Sequence, residues 1–492
     1  MFGRLGAKRT RLNYDGANSE RHGNWRRISG GVNDTVGRDG AALAARAQDL
    51  QRNDAVASIA IAKLTQALTG LMPRGATGDA GLDADIDAIW DQWALEASVE
   101  TYQTIYGVQS LAIESWKRDG NVFGRFRVRR PEDGLTVPLQ VQLLPDSFIA
   151  RHLTQQLNNG GRIINGVEVD VLGRVTAYHL FEDDPNGSFG SGKVVRVPEA
   201  AVFHLHEIGH AGQRLGVSAL SPVMVALRDM QLYRESIHTR AAAEAALMAF
   251  VTTQEDQDAP TMTASGKTTD AGHPVEELTP GTVGYLSPGQ DVKFNEPTAS
   301  NGFGEVTKIA KQEILTAAGL TYEAGGDLSN VTWTSFRAGQ LDHRRMVRHA
   351  QRELIVPLMM RRVYVQFVDA AITAGLLPEA ARAKQRKLVS GGVLVQGYPV
   401  RWQYPPFLEV DGAKQAQSTQ ALLRAGLATH EAEIEAATGM SMTEYLDAEA
   451  RYRAEVVKRG LRFDSDPTAT TQSGQAQAMP SDPEPVAAKP AS

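Results

Sequence analysis

The sequence predicts a multi-domain α+β protein, and three observations support this class. Helical periodicity dominates the chain up to Lys117, β-type alternation follows from Asn121 to Leu205, and long helical segments fill most of the remainder. Helices and strands that are segregated along a chain, rather than alternating, are typical of α+β folds. A chain of 492 residues, of which 42% are hydrophobic and 22% charged, is long enough to bury more than one core.

The N-terminal part combines a basic arm with two helical segments. Residues 1–35 are polar, Gly-rich and aperiodic, which predicts a mobile arm that is either solvated or in contact with nucleic acid or an acidic partner. Apolar spacing then predicts a helix over residues 41–70, ended by Gly70. A second helix is predicted over residues 83–117, anchored by aromatic side chains such as Trp90 and Trp116.

Short strands are predicted next. Phe123, Phe126 and Val128 alternate with arginines, which is the period-two pattern of a half-buried strand. Residues 139–144 alternate in the same way. Residues 174–180 and 202–205 are predicted to be further short strands, with glycine-containing turns in the region.

Three long helices dominate the second half. Ser221 and Pro222 are a natural N-cap and first residue for a helix that continues to Phe250 without Gly or Pro, roughly 29 residues or about 43 Å. A second helix is predicted over residues 303–318, with Gly319 as its C-cap. A third, over residues 335–375, contains Pro357, which predicts a kink.

The C-terminal region returns to shorter elements. Residues 400–404 are strand-like, and residues 412–460 are predicted to be helical, with a capping box formed by Ser441 and Glu444. From Asp464 onward large apolar residues are almost absent, so residues 465–492 are predicted to be a disordered tail.

Composition excludes several classes of protein. There are no cysteines, which rules out disulfides, thiolate metal sites and cysteine catalysis. No apolar run approaches the roughly 20 residues needed to cross a bilayer, and no secretory signal begins the chain, so we expect no membrane partner. The net charge of −6 argues against a protein that coats DNA by neutralising phosphates.

A literal His-Glu-x-x-His motif is formed by His206, Glu207 and His210. On a helix, both imidazoles would share one face and bind zinc while the glutamate activates a water molecule. The context favours a loop with exposed histidines, because residues 202–205 form a strand pattern and Gly209 and Gly212 disfavour a helix. A zinc-dependent metallopeptidase remains the alternative function.

Other enzymatic motifs are weak. Residues 265–268 (SGKT) imitate the end of a phosphate-binding loop, but position 261 is Thr where that loop needs its first Gly, and no apolar strand precedes it. We therefore expect a protein that is not an enzyme and needs no cofactor.

The helix over residues 335–375 is rich in arginine. The spacing of these arginines is compatible with phosphate binding, with ion pairs between subunits or with a solvated helix face, and these alternatives stay open. The candidates for subunit contacts are Arg337, Arg344, Arg345 and Arg348.

The order of several segments resembles one known family. These segments are residues 46–53 (RAQDLQRN), 118–127 (RDGNVFGRFR), 141–146 (VQLLPD), 166–179 (GVEVDVLGRVTAYH), 197–204 (VPEAAVFH), 212–222 (GQRLGVSALSP), 286–294 (LSPGQDVKF) and 318–323 (AGLTYE). Together they are similar to the lambda-type family of tailed-bacteriophage portal proteins, over about residues 38–460. One departure is the HEIGHA segment at residues 206–211, where the family usually carries a basic or aromatic residue.

The resemblance implies a portal-like fold with a mixed α/β wing, two long stem helices, a small clip insertion, a kinked long helix and a helical crown. The implied segments are a basic arm at 1–35, the wing at 36–216, the first stem helix at 217–250, the clip at 251–302, the second stem helix at 303–319, a channel loop at 320–334, the kinked helix and return to the wing at 335–410, the crown at 411–464 and the tail at 465–492.

It also implies a ring of twelve identical subunits at one capsid vertex, assembled in the host cytoplasm. Double-stranded DNA would pass through the ring, and the terminase large subunit, the major capsid and scaffolding proteins and the head-completion or neck proteins would be its partners. The residues expected to face DNA from the channel loop are Asp327, Leu328, Ser329, Asn330, Val331, Thr332 and Trp333.

Overall fold

The computed structural model describes most of the chain. The described residues are 30–188, 190–245, 250–252, 284–286, 303–321, 332–390, 393–405, 412–438, 440–461 and 463. They fall into two compact units. The first comprises residues up to 69 together with 88–398, and the second comprises 70–87 together with the chain from 399 onward.

The described helices, in chain order, are α1 (Val32–Asn53), α2 (Ala55–Leu68), α3 (Ala80–Trp93), α4 (Ile105–Asp119), α5 (Met224–Ala245), α6 (Phe303–Ala317), α7 (Trp333–Ala350), a π-helix (Gln351–Met360), α8 (Arg361–Thr373), α9 (Gly412–Arg424), α10 (His430–Thr438) and α11 (Met442–Lys458). Within the described residues, none of these helices combines the length and apolar character needed to cross a bilayer.

The described strands are β1 (Met72–Gly75), β2 (Asn121–Val128), β3 (Leu139–Pro145), β4 (Gln155–Gln156), β5 (Arg162–Ile164), β6 (Val167–Val169), β7 (Val175–Phe181), β8 (Val194–Pro198), β9 (Val202–His206), β10 (Phe250–Thr252), β11 (Gly284–Leu286), β12 (Arg386–Ser390), β13 (Val393–Gly397) and β14 (Val400–Gln403). The sequence-based prediction of a mixed helical and sheet protein is therefore confirmed.

The predicted helix over residues 41–70 is wrong in two respects. Helicity already begins at Val32, and Asp54 divides the segment into α1 and α2. The Asp54 carboxylate accepts hydrogen bonds from the backbone N–H groups of Val56 and Ala57, each at 2.9 Å. This is N-cap geometry, so a new helix starts where the apolar spacing suggested a continuous one.

The predicted helix over residues 83–117 is also two helices, α3 and α4, joined by the loop 94–104. Two backbone hydrogen bonds tie this loop to β3, from Val141 N to Ala97 O (2.7 Å) and from Val99 N to Val141 O (3.1 Å). The indole N–H of Trp93 donates to the carbonyl oxygen of Leu139 (2.8 Å). Backbone pairing with a strand edge therefore replaces helical hydrogen bonds in this loop.

Two antiparallel sheets form the β region of the first unit. One has three strands in the order β3-β2-β9, and the other has five in the order β4-β5-β6-β7-β8. Their facing side chains share a core that includes Phe123, Leu144, Tyr178 and Val202. The predicted strands are present as β2, β3, β7 and β9. The predicted alternation is wrong for part of β2, because its first four residues are all buried between the sheet and its neighbours while Val128 is exposed.

The first of the three predicted long helices differs from the prediction at both ends, and the second agrees with it. α5 begins at Met224, because residues 218–223 form turns with bonds such as Val223 N to Leu220 O (2.9 Å), so Ser221 and Pro222 do not start it. Phe250 belongs to β10, which pairs in parallel with β11, and not to the helix. α6 and its C-terminal Gly319, with φ of 84°, agree with the prediction.

The helix predicted over residues 335–375 begins earlier and changes type in its middle. It starts at Trp333, continues as a π-helix that contains Pro357, and ends with α8 at Thr373. Proline has no N–H to donate and its ring crowds the preceding turn, and the wider turns of a π-helix accommodate both. The expected irregularity at Pro357 is present as a local change of helix type.

The second unit joins the antiparallel pair β1-β14 to α9, α10 and α11. The helical prediction over residues 412–460 is divided here into three helices. The predicted capping box is confirmed, because Glu444 N donates to Ser441 Oγ (3.1 Å) and Ser441 N donates to Glu444 Oε2 (2.7 Å). The Glu444 carboxylate also accepts from Gln403 Nε2 of β14 (3.3 Å), which links the last helix to the strand pair.

Gly124 of β2 pairs with Phe203 of β9 and leaves room for the Phe203 ring. A Cβ atom at this position would lie 2.0 Å from the ring of Phe203, which is fully buried. We expect Gly124→Ala to destabilise the first unit by about 1–3 kcal/mol, the usual cost of overpacking. Thermal and denaturant unfolding measure the change. Gly209→Ala is the control, since its nearest neighbour would lie 3.8 Å away, and equal stability of the two variants would contradict the prediction.

Candidate functional site

The helix α5 is anchored at its beginning and leaves the core after about two turns. Met224, Leu227 and Met230 are buried in a cluster with residues of α1, α2 and α6. From Gln231 to Arg240 every side chain is half-buried or exposed. Val225 and Leu232, with exposed fractions of 74% and 45%, lie open to solvent in the isolated chain.

The helix α6 is buried at its C-terminal end, whereas α5 is buried at its N-terminal end. Its C-terminal end is buried through Ile314 and Leu315, whereas Ile309 is exposed and Glu305 lies at the open end of the helix. The buried ends of α5 and α6 therefore share one core region. Their other ends, at Ala245 and Phe303, flank residues 246–302 in the chain.

The charges carried by this pair of helices are balanced. In the sequence, α5 contains the basic residues Arg228, Arg234 and Arg240 and the acidic residues Asp229, Glu235 and Glu244. The sequence of α6 contains Lys308 and Lys311 against Glu305 and Glu313. A surface that grips DNA by neutralising phosphates needs an excess of Lys and Arg, and these two helices do not provide one.

A close crossing of the chain connects the three-stranded sheet to the segment that leads into α5. Gly120, with φ of 94°, lies directly against the backbone of Val217 and Ser218, and a Cβ atom there would lie 2.5 Å from the Val217 carbonyl carbon. A Cβ atom on Gly216 would lie 2.2 Å from the Gly120 oxygen. Both positions therefore require glycine.

The side chain of Asn121 stabilises this crossing through hydrogen bonds. Its Oδ1 accepts from Gly216 N (2.7 Å) and its Nδ2 donates to Gly216 O (3.1 Å) and to Asp146 Oδ1 (2.8 Å). Arg151 completes the cluster with a 2.5 Å ion pair to Asp146. Sequence analysis did not identify the role of Asn121, because its partner Gly216 lies 95 residues away.

The His-Glu-x-x-His motif does not fold as a helix. His206 is the last residue of β9, its ring stacks on His204 at a centroid distance of 3.9 Å, and the side chain is half-buried. Glu207 is exposed and pairs with Lys117 at 3.0 Å, and His210 is exposed in the following turn. The prediction of an exposed loop holds for Glu207 and His210 and is wrong for His206, because stacking on His204 covers its ring.

His206 stacks on His204 and Glu207 pairs with Lys117, so these side chains are engaged with other groups. Among the residues that the structure describes, no group of three or more His, Asp or Glu side chains is arranged to hold a metal ion. The helical face that a zinc peptidase of this motif requires is not formed by residues 206–210.

Burial keeps the stacked pair neutral. Desolvation, together with the charges of neighbouring groups such as Arg151 and Arg362, lowers the pKa of His204 well below its usual value. Desolvation lowers the pKa of His206 to about 4, with further lowering by Arg214 and Arg362. Both imidazoles are therefore uncharged at neutral pH, and His204 Nε2 lies 3.0 Å from Asn121 Oδ1.

Most of the proposed channel loop lies outside the described residues. The loop residues concerned are Gly325, Asp327, Leu328, Ser329, Asn330 and Val331. The SGKT segment at 265–268 also lies outside the described residues. Thr332 and Trp333 are described. Thr332 O accepts from Phe336 N at 3.0 Å, so Trp333 is the first residue of α7 and not part of a loop. At the other end, Leu320 packs in a buried cluster with Leu64 and Leu315.

The four arginines proposed for subunit contacts all lie on α7. Arg337 and Arg345 are exposed, whereas Arg344 and Arg348 are half-buried and interact with other groups of the chain. Exposure therefore makes the first two the better candidates for a contact with another subunit.

Comparison with known proteins places the chain in a family. Residues 18–351 match the family described as "Phage portal protein, lambda family", and the protein belongs to this family. The matched region includes the three-stranded and five-stranded sheets of the first unit, α5 and α6.

A curated relative is the "Probable portal protein" of Halomonas phage phiHAP-1, which is 24% identical over 315 residues. The aligned region covers 63% of this chain and 59% of the relative, so the chain spans less than two thirds of that protein.

The fold also resembles that of chains in the neck of an empty GTA particle computed with C6 symmetry (TM-score 0.43) and in the neck of a native GTA particle computed with C12 symmetry (TM-score 0.42). Each of these chains is 15% identical in sequence to this protein, and the structural alignment covers 81% of this chain and 92% of the other.

The neutral histidine pair gives the stability of the protein a defined pH dependence. Because the folded-state pKa of His206 is about 4 and the unfolded value is about 6.5, the unfolded chain binds more protons between these values. The contribution of the buried histidines to the free energy of unfolding should be fully present above pH ~6.5. It should decrease as the pH falls towards ~4, by up to about 1.4 kcal/mol per pH unit for each histidine.

Denaturant unfolding at a series of pH values and one protein concentration measures this slope. His206→Phe should reduce the slope between pH 4.5 and 6, because one proton-binding group is removed. The exposed His210→Phe is the control. A slope that His206→Phe leaves unchanged would show that burial of this ring does not govern acid stability.

Proposed function

We propose that this protein is a portal subunit that assembles into a ring at one vertex of a phage capsid and conducts double-stranded DNA during packaging and ejection. The observation that carries the proposal is the match to the lambda family of phage portal proteins over residues 18–351. In this proposal the protein is a structural component and has no catalytic role.

The paired helices α5 and α6 suit the channel wall. Each is held in the core at one end, and α5 extends for about 33 Å at roughly 1.5 Å per residue. Their exposed apolar side chains, Val225, Leu232 and Ile309, would be covered by the same helices of adjacent subunits. Balanced charge on the two helices would let DNA slide past without strong attachment to phosphates.

The remaining parts of the chain take the roles expected of a portal in this proposal. Residues 36–216 and 335–410 form the wing, 251–302 form the clip, and 411–464 form the crown. The terminase large subunit supplies ATP hydrolysis, and the capsid, scaffolding and neck proteins bind the outside of a ring of twelve subunits. The particle vertex is its final location, after assembly in the host cytoplasm.

A ring requires a heterologous interface, in which one surface of a subunit meets a different surface of the next. The exposed apolar residues of α5 and the exposed arginines of α7, Arg337 and Arg345, are candidates for such contacts. The zinc-peptidase alternative has no comparable support, since residues 206–210 lack the helical geometry it needs.

We expect the purified protein to form closed rings many times heavier than the 53.2 kDa chain. Light scattering and electron microscopy measure the mass and the central hole. Val225→Asp together with Leu232→Asp should prevent assembly while the chain stays folded, because two charges would be buried between helices. Leu427→Asp, at a similarly exposed position of the second unit, is the control. A wild-type protein that stays at the mass of one chain at micromolar concentration would contradict the proposal.

The channel-loop residues proposed from the sequence provide a second test. We expect deletion of residues 328–331 to leave ring assembly intact, because α7 begins only at Trp333 and keeps its own hydrogen bonds. The deletion should reduce the amount of DNA retained in packaged heads if the loop contacts the duplex and hinders its backward movement. Heads that retain a full genome with rings of the deleted protein would show that this segment is only a connector.

A further inference from the structure

A cavity of about 400 Å³ lies where β9, the turn between β6 and β7, and the π-helix meet. Its rim is apolar. Leu172 and Ile208 line it with exposed fractions of 76% and 53%, and Val171 beside them is 69% exposed. Adjacent exposed apolar side chains of this kind usually mark a surface that another protein covers.

The interior of the cavity has an excess of positive charge. Arg174, Arg214 and Arg362 line it together with one carboxylate, Glu199, which is paired with Arg362. The two histidines in its wall are neutral at pH 7 because burial lowers the pKa of both. The Nε atom of Arg214 is buried and has no hydrogen-bond acceptor in the described part of the chain. A carboxylate is the group that such a guanidinium binds best.

The loop 94–104 presents the complementary chemistry. Leu95 and Tyr102 are exposed by 69% and 81%, and the loop carries two acidic residues, Glu96 and Glu100, and no basic one. The Glu100 carboxylate raises the pKa of the Tyr102 hydroxyl, so an aromatic ring and a negative charge are presented together. The hydrogen bonds to Val141 and a bond from Glu100 N to Ser98 Oγ (3.0 Å) hold the loop in place.

The loop and the cavity belong to opposite edges of one sheet. In the order β3-β2-β9, the loop pairs with β3 at one edge, and β9 at the other edge contributes His204 and His206 to the cavity wall. Two complementary surfaces on opposite edges cannot meet within one chain. They can meet head to tail between copies, which is the arrangement that closes a ring.

We propose that the cavity beside β9 binds the loop 94–104 of the neighbouring subunit, with Tyr102 against the Leu172 and Ile208 rim and Glu100 against Arg214. This contact rests on the proposed ring function. It commits to a second copy of the chain as the occupant, because the chain itself carries an exposed aromatic and acidic segment that matches the cavity in charge and polarity. Exposed tyrosines and arginines are also the residues most often found at the centre of protein interfaces.

The absence of cysteine from the natural sequence allows a direct test by disulfide crosslinking. Tyr102→Cys combined with Leu172→Cys, and Tyr102→Cys combined with Ile208→Cys, should give a ladder of covalent oligomers up to the full ring under mild oxidation. A disulfide needs Cα atoms within roughly 7 Å, so the ladder reports close contact. Each single-cysteine variant, and Leu172→Cys combined with Leu427→Cys at an exposed position of the second unit, should give no ladder.

Charge reversal provides an independent measurement. Glu100→Arg and Arg214→Glu should each raise the protein concentration needed for half-maximal ring assembly by at least roughly tenfold. The double variant, in which the charges are exchanged, should recover most of this loss. Arg214→Gln is included in case Arg214→Glu alters folding, and circular dichroism with thermal unfolding checks each variant.

The outcomes separate this contact from the ring itself. Normal rings without crosslinks at either cysteine pair, and without recovery in the double variant, would overturn the proposed contact while leaving the portal function intact. A wild-type protein that forms no rings would overturn both. Crosslinks and recovery together would establish the loop as the occupant of the cavity.

Discussion

The crossing of two backbones at Gly120 and Gly216 is the constraint on which the first unit depends. At this point the turn that follows α4 and the segment that leads to α5 approach so closely that neither can carry a Cβ atom. Asn121 then uses both ends of its amide to bind Gly216, and its Nδ2 also donates to Asp146, which is itself paired with Arg151. The direction in which α5 leaves the sheet is therefore set by backbone contact and three polar side chains.

The stacked histidines extend this arrangement towards the surface. His204 packs between Phe123 and His206, with ring centroids 4.3 and 3.9 Å away, and contacts the same Asn121. Burial disfavours the charged form of both imidazoles and so lowers the pKa of each, and the nearby Arg362 lowers both further, so both rings stay neutral. Of the motif that resembled a zinc site, His206 thus supports β9 through packing, whereas Glu207 and His210 are exposed.

Features that depend on local signals could be predicted from the sequence. The strands β2 and β3, the C-terminal glycine of α6 and the capping box at Ser441 were all recognised, because alternation and capping residues act within a few positions. The boundary at Asp54 was missed because apolar spacing continues across it, and only its N-cap hydrogen bonds identify it. The pairing of the loop 94–104 with β3, the burial of His206 and the partner of Asn121 depend on residues distant in sequence, so no local pattern could reveal them.

The unequal anchoring of α5 and α6 has a mechanical consequence. Their buried ends lie together, and α5 continues back through residues 217–223 to Gly216, which is fastened to the first residue of β2. A pull on the outer end of α5 would be carried along its backbone into this polar junction and then across the strand ladder, whose hydrogen bonds would share the load in shear. Stiffness at the far end of the helix pair would then be governed by Asn121 and the two glycines, although none of them lies on either helix.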